Sequence, residues 1–173
     1  IKSVNKVLRS EYLTQGPNVA KFERKIGFFC DSKYVVAVNS ATSALHLSCL
    51  ALDLKKNQTL WTSPISFVAS SNCAVHCGAK VDFVDIDLET FNICPKKLEV
   101  KLKNTSKDKR PSILIVVHLG GLSCDMKKIR KLSEKYKFKV IEDASHAIGA
   151  KYEKTLVGSC KYSDLTVFSF HPV

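Results

Sequence analysis

The sequence has no apolar run of the roughly 18 residues that a membrane-spanning helix requires. Its first residues, IKSVNKVLRSEYL, lack the apolar core and small-residue cleavage site of a secretory signal peptide, and their spacing predicts an amphipathic helix. Internal repeats and low-complexity segments are also missing. We therefore expect a cytoplasmic protein that has no membrane partner.

The cysteines do not form the pattern of a disulfide framework, because their count of seven is odd and they are scattered along the chain. Cys73 and Cys77 would share a helix face beside His76, but no second ligand pair follows at the spacing of a zinc site. The sequence favours buried free thiols at these positions, and a metal site there is the alternative. A reducing compartment fits this pattern, and no metal is expected.

Acidic residues are the minority, with 16 Asp and Glu against 27 Lys and Arg, for a net charge of +11. The lysines fall in loops and on predicted helix faces, as in PKKLEVKLKNTSKDKR. No aromatic-interleaved basic patch, zinc finger or recognition helix accompanies them. This pattern favours solvated lysines over nucleic-acid binding, so no nucleic-acid partner is expected.

Strand-like and helix-like segments alternate along the chain. The predicted helices are Ile1–Ser10, Val19–Cys30, Thr42–Leu52, Ser66–Cys77, Pro95–Leu102 and Asp125–Tyr136. The predicted strands are Tyr34–Val38, Thr59–Thr62, Val81–Val84, Ile113–Val117, Lys139–Ile141 and Leu165–Phe168. Alternation with nearly continuous apolar strands predicts an α/β fold whose mostly parallel sheet is covered by helices on both faces. Ligands of such sheets bind beyond the C-terminal ends of the strands.

Small and aromatic residues follow the first two predicted strands. In NSATSALHL, Thr42, Ser43 and the N–H groups that open the next helix could hold a phosphate, although a plain N-cap by Ser40 or Thr42 explains the same residues. The stretch has neither the Walker nor the G-x-G-x-x-G spacing. Phe67 could stack on a planar ring, but its position alone favours an ordinary core residue.

Titratable residues follow the later strands. His118 is a candidate acid, base or ring contact at the end of Ile113–Val117. Glu142 and Asp143 end the next strand on opposite faces, and His146 follows three residues after the aspartate. A buried Asp143 requires a cation or several hydrogen bonds, and the protonated ring nitrogen of a cofactor and a helix cap are both possible explanations.

Six motifs occur in an order that resembles a known family: TQGPNVAKFERKI, VAVNSATSALHLSCLAL, WTSPISFVASSNCAVHCGAKVDFVDID, VVHLGGLSCDM, VIEDASHAIGAKY and VFSFHPV. They resemble the pyridoxal-phosphate-dependent sugar aminotransferases of the DegT/DnrJ/EryC/StrS family over residues 13–173. The sequences of the third and sixth motifs are most similar to those of the branch that aminates UDP-4-keto-6-deoxy-N-acetylhexosamines toward pseudaminic acid. The branch that acts on UDP-4-keto-arabinose is the next most similar.

The resemblance implies a fold-type-I large domain, a homodimer, a nucleotide-sugar substrate, glutamate as amino donor and pyridoxal 5′-phosphate held by a lysine Schiff base. Carried over by position, it places Asp143 at the pyridinium nitrogen and Phe67 against the ring. The phosphate would be bound by Ala41, Thr42 and Ser169, with His146 near the phenolic oxygen and His171 toward the substrate. Ser43, a candidate from its position after the strand, is counted with the cofactor-binding residues. Asn57 and Gln58 differ from the commonest family residues in a loop that is not catalytic, and Ala41 replaces a glycine of many members, as in the pseudaminic acid branch.

In the family, the Schiff-base lysine follows the serine of SF by five positions, which is the position directly after Val173. The chain is therefore expected to be an N-terminal fragment, inactive by itself. It would comprise a helical segment, 1–30, and the first part of the large domain, 31–173, without the small C-terminal domain. A histidine at that next position would indicate a sugar 3-dehydratase instead. A truncated, non-catalytic α/β binding module is a further alternative.

Overall fold

The structure is a computed structural model that describes residues 1–171. The chain folds as two compact units, Ile1–Ala37 and the residues from Val38 onward. The first unit contains helices α1 (Lys2–Leu8) and α2 (Pro17–Cys30). Proline opens α2, where its missing N–H costs no hydrogen bond. Among residues 1–171, no helix combines the length and the apolar composition that crossing a bilayer requires.

The second unit is built around a five-stranded parallel sheet whose strand order is β2-β1-β3-β4-β7. Its helices are α3 (Ala41–Ala51), α4 (Ala69–His76), α5 (Pro95–Asn104) and α6 (Met126–Tyr136). The sheet strands are β1 (Thr59–Thr62), β2 (Lys80–Phe83), β3 (Ile113–Val117), β4 (Lys139–Asp143) and β7 (Leu165–Val167). A small antiparallel hairpin, β5 (Lys151–Tyr152) and β6 (Thr155–Leu156), stands apart from this sheet.

The central strand β3 has the sequence ILIVV, and all five of its residues are buried. Alternate residues of β3 enter two separate cores. Ile113, Ile115 and Val117 pack with α3 and α4, whereas Leu114 and Val116 pack with α5 and α6. A strand buried on both faces requires apolar residues at every position, which is why β3 shows no polar alternation. The predicted parallel sheet with helices on both faces is confirmed.

Most predicted elements are confirmed within a few residues at their ends, and Asp125 caps α6 by accepting a hydrogen bond from the N–H of Lys128. The predicted strand Tyr34–Val38 is wrong: the segment pairs with no strand within residues 1–171, and Val36 is 78% exposed. The helix predicted from Ser66 begins only at Ala69. The β5–β6 hairpin was not predicted.

Tyr152 links this hairpin to α6, since its hydroxyl donates to Asp125 Oδ1 at 2.7 Å. Burial and the Asp125 acceptor raise the pKa of Tyr152 to about 12, from an ordinary value near 10. The neutral phenol is the donor, so its contribution is complete below about pH 10 and is lost as pH rises through 12. We expect Tyr152→Phe to lower the free energy of unfolding by about 1–2 kcal/mol at pH 8 in urea titrations, and the difference to vanish at pH 12.

The matched control is Tyr12→Phe, because Tyr12 is 61% exposed and its loss of a hydroxyl should leave stability nearly unchanged. A difference between Tyr152→Phe and the parent protein that stays constant from pH 8 to 12 would contradict the proposed link.

Candidate functional site

A cavity of about 240 Å³ lies at the C-terminal edge of the sheet, within the second unit. The ends of β3 and β4, the segment after β7, the start of α3 and the segment leading into α4 all contribute to its wall. The lining residues are Ala41, Thr42, Leu45, Ser66, Phe67, Ala69, Val117, His118, Leu119, Asp143, Ser145, His146, Ser169 and His171. This is the edge where parallel sheets bind their ligands.

Asp143, the last residue of β4, supplies the buried carboxylate of the cavity and is 4% exposed. Ser70 on α4 donates its hydroxyl to Oδ2 at 2.7 Å. Ser145 donates both its hydroxyl and its backbone N–H to Oδ1, at 2.7 and 3.2 Å. No helix begins at Asp143, so the helix-cap explanation is wrong, and the carboxylate instead closes a tight turn with Ser145.

Glu142, one residue earlier, points to the other face of the sheet and has a separate set of partners. Its Oε2 lies 2.7 Å from His118 Nε2, and its Oε1 accepts from Ser163 and Thr166. The three partners come from the end of β3, the middle of β7 and the loop before β7. The opposite placement of the two adjacent acids is confirmed, and only Asp143 is turned toward the cavity.

His118 is fully buried, and both of its ring nitrogens are occupied. The backbone N–H of Cys124 donates to Nδ1 at 3.1 Å, so Nδ1 is an acceptor and the proton lies on Nε2, facing Glu142. A ring engaged on both sides holds strand ends together. It is not available as the acid or base that the sequence suggested.

The N-terminus of α3 forms the opposite wall of the cavity. Ser40 caps the helix, since its hydroxyl accepts from the N–H of Ser43 at 3.2 Å. The N–H groups of Ala41 and Thr42 precede the first intrahelical hydrogen bonds, so they have no acceptor within the helix. Both residues line the cavity, which gives it a wall suited to an anion.

Phe67 is 72% exposed and lines the cavity, so the expectation that it is an ordinary core residue is wrong. It lies in the segment before α4, where an exposed aromatic face is free to cover a planar ligand. His146 and His171 also line the cavity and are exposed.

Seven of the eight residues predicted for the site line this one cavity: Ala41, Thr42, Phe67, Asp143, His146, Ser169 and His171. Ser43 does not line it: its N–H donates to Ser40 Oγ, and its hydroxyl oxygen accepts from the Ser40 hydroxyl. Sequence reasoning missed Ser66, Ser70 and Ser145. Only the Asp-x-Ser spacing, which is typical of side-chain turns, signalled Ser145. The position after Val173, like Pro172 and Val173 themselves, lies outside the described residues.

Gly121 holds the loop after β3 against His146. Its φ is +85°, and a Cβ added there would lie 2.9 Å from the His146 carbonyl oxygen. The neighbouring Gly120 also has a positive φ, +59°, but a Cβ there meets nothing within 4 Å. Gly120→Ala is therefore a matched control that carries similar backbone strain without the clash. We expect Gly121→Ala to lower the free energy of unfolding by about 1–3 kcal/mol more than Gly120→Ala in urea titrations.

Equal losses in the two variants would show that the loop is not packed against His146. Amide exchange of residues 144–147 gives a second measurement, and it should accelerate only in Gly121→Ala.

A second hollow, of about 390 Å³, runs along α5 and is lined by Lys96, Lys97 and Lys101, of which the last two are paired with carboxylates. Lys97 contacts Asp85 at 2.6 Å and Lys101 contacts Asp82 at 2.7 Å. Over residues 1–171, no group of three His, Cys, Asp or Glu side chains is arranged to hold a metal ion. The cavity at the sheet edge is therefore the candidate site.

Comparison with known proteins identifies relatives of the whole chain. The chain is 43% identical, over all of its 173 residues, to a UDP-4-amino-4,6-dideoxy-N-acetyl-β-L-altrosamine transaminase of Campylobacter jejuni, and spans 44% of that protein. It is 38% identical over 99% of its length to the spore coat polysaccharide biosynthesis protein SpsC of Bacillus subtilis, and spans 42% of it. The chain thus covers less than half the length of these relatives.

Solved structures give the same result. The fold matches Helicobacter pylori PseC, an aminotransferase involved in pseudaminic acid biosynthesis, with a TM-score of 0.87 and 32% identity over 99% of this chain and 45% of PseC. It also matches the PLP form of the sugar aminotransferase Spr1654 from Streptococcus pneumoniae, with a TM-score of 0.89 and 27% identity over 98% of this chain and 45% of that one. The profile of the DegT/DnrJ/EryC1/StrS aminotransferase family matches residues 1–173, and the chain belongs to that family.

Proposed function

We propose that the cavity binds pyridoxal 5′-phosphate and its pyridoxamine form. The observation that carries the proposal is the buried Asp143 carboxylate, which faces the same cavity as the free N-terminus of α3. A phosphorylated pyridine requires this pair of sites, a carboxylate for the ring nitrogen and N–H groups for the phosphate. The residues present therefore fit the cofactor.

Each lining residue has a role in this proposal. The N–H groups of Ala41 and Thr42 and the Ser169 hydroxyl bind the phosphate. Phe67 covers the ring face, while Asp143 holds a proton on the ring nitrogen. A ring protonated in this way supplies an electron sink for chemistry at the carbon that bears the amino group. His146 lies toward the ring substituents and His171 toward the substrate.

The proposed reaction transfers an amino group from glutamate to the 4-keto carbon of a UDP-linked 4-keto-6-deoxy amino sugar. The Campylobacter transaminase and PseC support this substrate class, because this chain resembles both over nearly its whole length. In this proposal, residues 31–173 are the first part of the large domain and the active protein is a homodimer. The lysine that carries the cofactor would follow Val173.

The test is a fluorescence titration of the purified protein with pyridoxamine 5′-phosphate. Saturable binding at one site per chain is expected, with inorganic phosphate competing for the α3 end. The substrate is tested with the longer protein that includes the lysine expected after Val173, by amination of a UDP-linked 4-keto amino sugar with isotope-labelled glutamate followed by mass spectrometry. Absence of saturable binding would overturn the cofactor assignment, and binding without label transfer by the longer protein would overturn only the reaction.

A further inference from the structure

Two serines from different elements hold the Asp143 carboxylate. Ser70, on α4, is fully buried and lies 73 positions away from Asp143 in the sequence. Ser145 belongs to the turn that follows β4 and occupies Oδ1 with two donors. Their donors approach the two oxygens separately, so the carboxylate is fixed in rotation as well as in position.

The hydrogen bonds to the Asp143 carboxylate leave one acceptor position unfilled. A carboxylate offers about four acceptor positions, two on each oxygen. Ser145 fills both on Oδ1, while Ser70 fills one on Oδ2. Among the contacts of the described residues, the unfilled position is therefore on Oδ2, and a further donor would bind there.

The direction of the serine contacts is also determined. Ser66 Oγ lies 2.7 Å from Ser70 Oγ, four residues later. Because the single hydroxyl hydrogen of Ser70 is committed to Asp143, the hydrogen between the two serines comes from Ser66. Ser66 lines the cavity, so a chain of two hydroxyls runs from the cavity wall to the buried carboxylate.

We propose that Ser70 and Ser145 are positioning residues that present Oδ2 of Asp143 to the ring nitrogen of the cofactor. This inference rests on the proposed function. The serines do not contact the cofactor ring nitrogen themselves. They act by keeping Asp143 in the one rotation that leaves an acceptor position open toward the ring.

The experiment compares two ligands, pyridoxamine 5′-phosphate and its 1-deaza analogue, in which a C–H group replaces the ring nitrogen. Affinities are measured by fluorescence titration of the parent protein and of Ser70→Ala, Ser145→Ala and Ser71→Ala. Ser71 is the matched control, since it neighbours Ser70 but directs its hydroxyl to the Val68 carbonyl. Ser145→Thr, which keeps a hydroxyl, is the rescue variant. Circular dichroism checks that each variant is folded.

We expect Ser70→Ala and Ser145→Ala each to weaken pyridoxamine 5′-phosphate binding about tenfold, because each loses a hydrogen bond to a charged group. Binding of the deaza analogue should stay unchanged, as should both affinities of Ser71→Ala. Ser145→Thr should restore binding. A loss that is equal for the two ligands, or no loss for either, would overturn the positioning role.

Failure of the proposed function would give a different result in this experiment. A parent protein that binds neither ligand, or binds both equally well, shows that Asp143 does not meet a ring nitrogen. That result is visible before any serine is changed, and it overturns both proposals.

Discussion

Replacing Asp143 with alanine should weaken pyridoxamine 5′-phosphate binding by about 100-fold or more, the largest effect expected of any single side chain in the cavity. Removing one partner of a buried, hydrogen-bonded charge pair costs roughly 2–5 kcal/mol, partly because the other charge is left unpaired. Here the unpaired group would be the protonated ring nitrogen. Fluorescence titration at constant ionic strength measures the change.

The control for this prediction is Asp53→Ala, because the Asp53 side chain is 78% exposed and pairs with Lys55 on the surface. This variant loses the same charge and should bind the ligand as the parent does. Comparable weakening in the two variants would point to a general electrostatic effect, and an unchanged affinity in Asp143→Ala would remove the carboxylate from the ligand site.

Replacing Glu142 with alanine should cause the largest loss of stability. Its carboxylate accepts from His118, Ser163 and Thr166, and the residue is only 4% exposed. Truncation leaves three donors without an acceptor and opens a cavity between the strand ends. Such changes typically cost about 3–5 kcal/mol, which urea denaturation followed by circular dichroism would measure.

Glu99→Ala is the matched control, since Glu99 lies on α5 with its side chain 39% exposed in an ion pair with Lys103. An exposed pair of this kind contributes little to stability, because solvent and salt screen it. Ser163→Ala, which removes one of the three donors, should lie between the two. If Glu142→Ala and Glu99→Ala lost equal stability, the buried network would not hold the strand ends.

The parts of the fold that depend on local pattern were predictable. Every residue of the segment ILIVV is apolar and all but the leucine are β-branched, so this pattern predicted a strand buried on both faces. The consecutive acids Glu142 and Asp143 had to face opposite ways for the same geometric reason. Most of the cavity followed from the resemblance, because residues carried over by position proved to be neighbours.

The parts that depend on distant partners were not predictable. Tyr34–Val38 has the composition of a strand, but a strand exists only where a neighbour completes its hydrogen bonds. The role of Ser70 depends on α4 crossing the end of β4, which spacing along the chain does not reveal. Phenylalanine is a residue type that usually lies in the core, but the position of Phe67 before α4 leaves its side chain exposed.

The strand order β2-β1-β3-β4-β7 also has a consequence for how the protein folds. Parallel strands cannot be joined by tight turns, so every pairing in this sheet closes a long loop of chain. Pairings of this kind form slowly. The cavity wall draws on segments from Ala41 to His171, and none of them encloses a ligand alone. We therefore expect binding capacity only after these pairings have formed, so that a ligand present during refolding stabilises the finished sheet.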